Sequence, residues 1–185
     1  GMYNSFDEAQ LALGGAARHD LFALPAWQER QWDLRRAGGC EQGLGSMPRP
    51  SYLPLLLGLN RSVRIVDLGG GSAWTYQWLE HQGLAPREYL VLEKDSLVER
   101  FRDLVGDPCR YSTVEQLFEQ PHYFDVLYTN SCLQYLKDNS LLVTVAAATQ
   151  PRCILLDEIL WTNNDEDWFT HQVNSDVALT VRFLS

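Results

Sequence analysis

From residue 62 onward the chain alternates short, continuous apolar runs with stretches in which apolar positions recur every three or four residues. Runs 63–68, 89–92, 124–128 and 153–156 are rich in Val, Ile, Leu, Phe and Tyr and read as strands, with a weaker one at 110–112. Between them, 73–82, 96–105, the short 114–119 and 133–147 read as helices. Leu97, Phe101, Leu104 and Val105 fall on one side of the second of these. A strand that is apolar at consecutive positions is buried on both faces, so the pattern predicts a parallel sheet with helices on both sides. Right-handed crossovers then give a doubly wound α/β layout whose ligand crevice lies at the carboxyl ends of the strands.

Residues 2–60 differ and read as an N-terminal helical appendage to a main domain at 61–185. They hold two helical pieces, 6–17 and 25–37, a Gly-rich linker at 38–50 and a short apolar segment at 52–59. Trp27, Trp32 and Leu34 share one face of the second piece while Glu29, Arg30, Arg35 and Arg36 line the other, which predicts that the appendage packs on the main domain. After the fifth strand, residues 177–184 supply one strand where the complete fold has an antiparallel pair, so an abbreviated C-terminal strand pair is expected.

Composition narrows the partners. With 185 residues, 45% hydrophobic, the chain can bury a sizeable core without disulfides or metals. A formal charge of −9 is the wrong sign for a phosphate backbone, which argues against nucleic acid. No stretch approaches the roughly 20 apolar residues that cross a bilayer, and the opening residues lack the apolar core of a signal sequence. Gly1 before Met2 reads as a tag-cleavage scar. The four cysteines, at 40, 109, 132 and 153, form no C-x-x-C pair, and Cys132 and Cys153 sit in apolar runs as small core residues. The expected setting is the reducing cytoplasm.

The most informative segment is Arg64-Ile65-Val66-Asp67-Leu68-Gly69-Gly70-Gly71-Ser72-Ala73-Trp74. Three glycines at a strand end permit positive φ and close approach of a ligand to the backbone. The dinucleotide fingerprint fails because Trp74 stands where G-x-G-x-x-G needs its last glycine, and no Gly-Lys pair exists to make a P-loop. A nucleophile elbow fails too, since Trp74 replaces the final glycine of G-x-S-x-G; Ser72 reads instead as a helix N-cap. What remains is Asp67 before the glycines and Glu93 at the end of the second strand. The first suits an ammonium group and the second a pair of ribose hydroxyls, the two handles of S-adenosylmethionine.

At these residues the chain resembles the class I, Rossmann-like, S-adenosylmethionine-dependent methyltransferases. VRIVDLGGGSAW is similar to their first motif, LVLEKDSLVERF to their second, and FDVLYTNSCLQYL to the fourth-strand motif. The resemblance covers about residues 62–158. With Tyr3-Asn4-Ser5-Phe6-Asp7-Glu8-Ala9 and His171-Gln172-Val173 added, it extends to a family of largely uncharacterised bacterial methyltransferases. It implies S-adenosylmethionine as cofactor and S-adenosylhomocysteine as product. Asp67, Gly69, Gly70 and Gly71 would surround the methionine moiety, Glu93 would hold the ribose, and Lys94 or Asp95 would border the adenine. Thr129, Asn130 and Ser131 would face the sulfonium and the acceptor. One departure stands out: Ser112-Thr113 occupies the third-strand end where many relatives carry an acid near the adenine amino group.

Methyl transfer asks mainly for in-line positioning, and a base is needed only for a hydroxyl or a protonated amine. Candidate bases are His171, Asp157 and Tyr135. His19, His81 and His122 make no metal-ligand spacing, and the acidic run 163–167 lacks the glycine and spacing of a calcium loop, so no metal is expected. Trp74, Tyr76, Trp161 and Trp168 could stack on a ring of the cofactor or acceptor. The expected activity is methyl transfer to a small-molecule or sugar-like acceptor. A non-catalytic cofactor-binding or regulatory module on the same fold is the alternative, and a Rossmann-like protein using another nucleotide a third. Acceptor identity and oligomeric state lie in loop shapes that pattern does not encode.

Overall fold

A computed structural model gives the fold and describes residues 2–14, 24–36, 52–119, 122–174 and 177–185. Five parallel strands form the main sheet: β1 (Arg64–Leu68), β2 (Glu88–Leu92), β3 (Cys109–Ser112), β4 (Val126–Asn130) and β5 (Cys153–Asp157). Their spatial order is β3-β2-β1-β4-β5. The direction of travel reverses at β1, whose neighbours are β2 and β4, so the switch point of this doubly wound sheet falls at the glycine loop.

Side chains alternate between the two faces of β1, and each set meets its own helices. Ile65 joins Tyr89, Val91, Val126 and Tyr128 under α3 (Leu53–Leu59) and α4 (Trp74–His81), which contribute Leu53, Leu57, Tyr76 and Leu79. Val66 and Leu68 join Leu90, Leu92 and Leu127 under α6 (Val114–Glu119) and α7 (Ser140–Thr149), which contribute Leu117 and Val145. This is the two-faced burial that the continuous apolar runs predict. α5 (Asp95–Phe101) lies beside β3, with the Phe101 ring 6.4 Å from that of Tyr111.

Two N-terminal helices complete the described chain, α1 (Phe6–Leu13) and α2 (Pro25–Arg36). Ser5 caps α1 by accepting from the Glu8 amide, and the helix ends at Gly14, φ 63°. The rest of the expected 6–17 helix, the last residue of 25–37 and the 38–50 linker lie outside the described residues. Trp32 of α2 stacks on Phe101 at 6.4 Å between ring centres.

Three expectations are corrected. The 133–147 helix is two pieces, a 3-10 turn at Leu133–Tyr135 and α7, separated by a turn in which the Asp138 carboxylate accepts from the Ser140 amide at 2.8 Å. Ser72 is not the N-cap of α4; Ala73 is, in the left-handed region, with no side-chain cap. The C-terminal pair is present as β6 (Trp168–Asn174) and β7 (Val177–Phe183), antiparallel to one another and separate from the main sheet. The sequence reading missed β6 because its apolar and polar residues mix around His171 and Gln172.

This hairpin packs on α1 and on the segment after β4. Phe6 meets Phe169 edge-on at 6.1 Å, Gln10 donates to the Thr180 hydroxyl at 2.9 Å, and buried Arg182 bonds Asn139. Among the described residues no helix is long and apolar enough to cross a membrane, and no group of three or more His, Cys, Asp or Glu side chains is placed to hold a metal ion.

Burial separates two neighbouring leucines of α3. Leu57→Ala, at a fully buried site, is expected to cost about 2–5 kcal/mol in urea unfolding, whereas Leu55→Ala, 66% exposed, should stay within about 0.5 kcal/mol.

Candidate functional site

The carboxyl ends of β1, β2 and β4 surround the loop 69–73, and each glycine there answers a different need. A Cβ on Gly69 would lie 2.8 Å from the Cβ of Cys132 and closer still to its sulfur. One on Gly70 would lie 2.7 Å from the Asp67 carboxyl carbon. Gly71 has open space around it and is glycine for its backbone, at φ 57°. The first two glycines let the loop fold down onto β1 and the segment after β4; the third turns it.

Asp67 lies beneath this loop, 1% exposed, and accepts a hydrogen bond from the Tyr89 hydroxyl at 2.6 Å. Its other oxygen, Oδ1, is buried with no partner. Burial pushes this carboxyl up to about 7; the Tyr89 bond opposes the shift and the charge of Glu93 adds to it. Burial likewise raises Tyr89 and, further along the same face, Tyr128. The Tyr128 hydroxyl donates to Asp157 Oδ2 at 3.2 Å and accepts from the Asn130 amide at 3.1 Å.

Glu93, at the end of β2, turns back to the loop. Its Oε1 accepts from the Gly71 amide at 2.9 Å and its Oε2 from the Lys94 amide at 3.1 Å. Beside it opens a mostly apolar cavity of about 270 Å³, lined by Leu68, Gly69, Leu92, Glu93, Lys94, Val114, Glu115, Cys132, Leu136 and Leu141. Cys132 faces it with its thiol pushed up to about 12, chiefly by burial and then by the charges of Glu93 and Asp67.

Of the residues picked from sequence, Gly69, Glu93 and Lys94 line this cavity together, and Gly70 and Gly71 follow Gly69 in the same loop. Asp67 lies below the loop and not on the cavity wall. Asn130 and Ser131 end β4, where the Ser131 amide donates to the Asp157 carbonyl at 3.1 Å and Ser131 adopts φ 51°. Positive φ recurs at Ala73 and Glu158, so the ends of β1, β4 and β5 each carry a non-glycine residue in that costly region.

The candidate bases are engaged elsewhere. His171 Nε2 lies 2.8 Å from the Ala9 carbonyl oxygen, with its ring 4.8 Å from that of Tyr3. The Tyr135 hydroxyl donates to Gln172 Oε1 at 3.1 Å, and burial raises its pKa. Both fasten the hairpin to its neighbours. Among the proposed stacking residues, Tyr76 is buried against Tyr89, Trp168 stacks on Phe183 at 4.1 Å, and Trp161 is exposed. The cavity also holds residues that sequence reading missed. Glu115 lies in the first turn of α6, three residues after Ser112, and lines the cavity with Val114.

Solved structures share this architecture. An S-adenosylmethionine-dependent methyltransferase from Mesorhizobium loti is 24% identical over 64% of this chain and 48% of its own, with a TM-score of 0.37. An O-methyltransferase family protein from Burkholderia thailandensis is 14% identical over 96% of this chain and 68% of its own, with a TM-score of 0.51. The pyocyanin biosynthetic protein PhzM is 17% identical over 85% of this chain and 47% of its own, also at 0.51. The fold is that of the class I, Rossmann-like methyltransferases. The chain spans about half the length of two of these three proteins. No family model matches it, and no curated protein does so significantly.

The buried carboxyl and the glycines above it lead to testable outcomes. The unfolded Asp67 ionises near 3.8 and the folded one near 7, so its contribution to stability is complete below pH 3.8 and is lost as pH rises through 7. That loss amounts to about 4 kcal/mol. Asp67→Asn should therefore melt higher than wild type at pH 8 and lose the advantage at pH 4 in thermal scans. Gly70→Ala should destabilise by about 1–3 kcal/mol through overpacking on Asp67, and Gly71→Ala by about 1 kcal/mol through its left-handed backbone, both read by urea unfolding.

Proposed function

We propose that the protein binds S-adenosylmethionine and transfers its methyl group to a small-molecule or sugar-like acceptor in the cytoplasm. The observation that carries this reading is the joining of Glu93, the Gly69–Gly71 backbone and an apolar cavity at the switch point of the sheet. The residues fit the cofactor. Loop glycines whose Cβ positions are filled by Cys132 and Asp67 bring the backbone down beside the cavity. The Glu93 carboxylate can accept from ribose hydroxyls, and Leu68, Leu92, Val114 and Leu136 offer apolar faces to a purine. Glu115, lining the same cavity, is an acceptor for the adenine amino group. Asp67, with an unpartnered buried oxygen, contributes its charge from beneath the loop toward an ammonium above it.

When bound, S-adenosylmethionine supplies an activated methyl group, so the protein's task is orientation. Asn130 and Ser131, at the end of the adjacent strand beside buried Asp157, would face the sulfonium and the acceptor.

Calorimetric titration with S-adenosylmethionine and S-adenosylhomocysteine, with NAD as control, tests the reading. Saturable binding of both is expected, and Glu93→Ala should weaken it by about 1–3 kcal/mol, roughly 5- to 150-fold. A folded wild type that binds neither rejects the proposal. Binding without turnover to S-adenosylhomocysteine over a pool of hydroxyl and amine acceptors favours a non-catalytic cofactor-binding module.

A further inference from the structure

The glycine loop is supported from a direction that the sheet does not explain. Three of its residues have positive φ, Gly69 at 74°, Gly71 at 57° and Ala73 at 56°, and the last is costly for a residue with a Cβ. The Tyr111 hydroxyl, reaching over from β3, donates to the Gly71 carbonyl at 3.0 Å. Ser72, between the two, points its hydroxyl at Gln31 Oε1 of α2, 3.5 Å away.

α2 also reaches Tyr111 through aromatic rings. Trp32 stacks on Phe101 with the planes 25° apart, and Phe101 meets Tyr111 at 35°. The helix is fastened to α5 by Arg100, which bonds Glu29 at 2.5 Å and lies 5.8 Å from the centre of the Trp32 ring. Two residues more than 30 positions before β1, Gln31 and Trp32, therefore bear on both ends of the Gly71–Ser72 step, one directly and one through two rings.

We infer that α2 is part of the cofactor site, with Gln31 and Trp32 as positioning residues that hold the glycine loop, at Ser72 and through Phe101 and Tyr111 at Gly71, in its binding conformation. This rests on the cofactor reading given above. Reciprocity requires that whatever α2 adds to cofactor affinity the cofactor returns as stability of α2 docking.

The test uses the full chain and S-adenosylhomocysteine as probe, with calorimetry on wild type, Tyr111→Phe, Trp32→Ala and Trp32→Phe, and hydrogen exchange over residues 25–36 with and without the probe. Tyr111→Phe keeps the ring stack and removes one hydrogen bond, so affinity should fall roughly five- to tenfold with the melting temperature nearly unchanged. Trp32→Ala should weaken binding at least as much, Trp32→Phe should restore most of it, and exchange in α2 should slow on saturation. If Trp32→Ala fails to fold, Tyr111→Phe and the exchange measurement decide. Wild-type binding with affinity within twofold in Tyr111→Phe or in a folded Trp32→Ala overturns the inference and leaves the cofactor reading standing, as does unchanged exchange in α2. A folded wild type that does not bind the probe removes the cofactor reading and this inference with it.

Discussion

Everything at the carboxyl end of the sheet depends on a buried carboxylate with a glycine resting on it. Asp67 is the fourth residue of β1, and the residues around it on that strand are apolar and enclosed. Its cost is offset in part by Tyr89 from the adjacent strand, whose hydroxyl is delivered by the pairing of β1 with β2. Gly70 then closes over it, because any larger residue would meet the carboxyl group. The loop therefore comes down where the Gly71 amide meets Glu93, so the second strand end is tied to the first by the same packing. A neutral group at Asp67 would relieve the burial penalty and also remove the negative charge that the loop carries beneath it.

The sheet was legible because its signal is local and redundant. Val66, Leu68, Leu90 and Leu127 belong to apolar runs whose length and flanking turns admit few other readings, and they sit on one face as those runs require. Gly69, Glu93 and Lys94 were legible for a related reason: residues at adjacent parallel strand ends are brought together by topology alone. The N-cap role expected of Ser72 failed because the loop takes its turn one residue later, at Ala73, where a left-handed backbone starts α4.

What pattern could not supply were contacts between segments far apart in sequence. Cys132 looked like core, yet its thiol fills the place of a Cβ on Gly69 and faces the cavity. Tyr111 looked like an ordinary strand residue, and its hydroxyl holds a loop forty residues upstream. Asp157 and Tyr135 stood as candidate bases; one accepts from Tyr128 and the other donates to Gln172. In each case the partner is chosen by tertiary geometry, and neither propensity nor periodicity encodes it.

The two walls of the cleft are braced by the parts of the chain that lie outside the main sheet. On the β4 side, α1 and the C-terminal hairpin grip the segment 131–139 through Tyr135, Lys137 and Asn139. On the β1 side, α2 grips the glycine loop. The ion pairs in these braces contribute little where they are exposed, as Lys137 with Asp7 is, at 57% and 75%. Rings supply the attachment instead: Phe6 on Phe169 and Tyr3 against His171 on one side, Trp32 on Phe101 on the other. Aromatic contacts of this kind bury apolar area and fix orientation together, so the terminal segments set how the two walls of the cleft are held while the main sheet sets where the cleft lies.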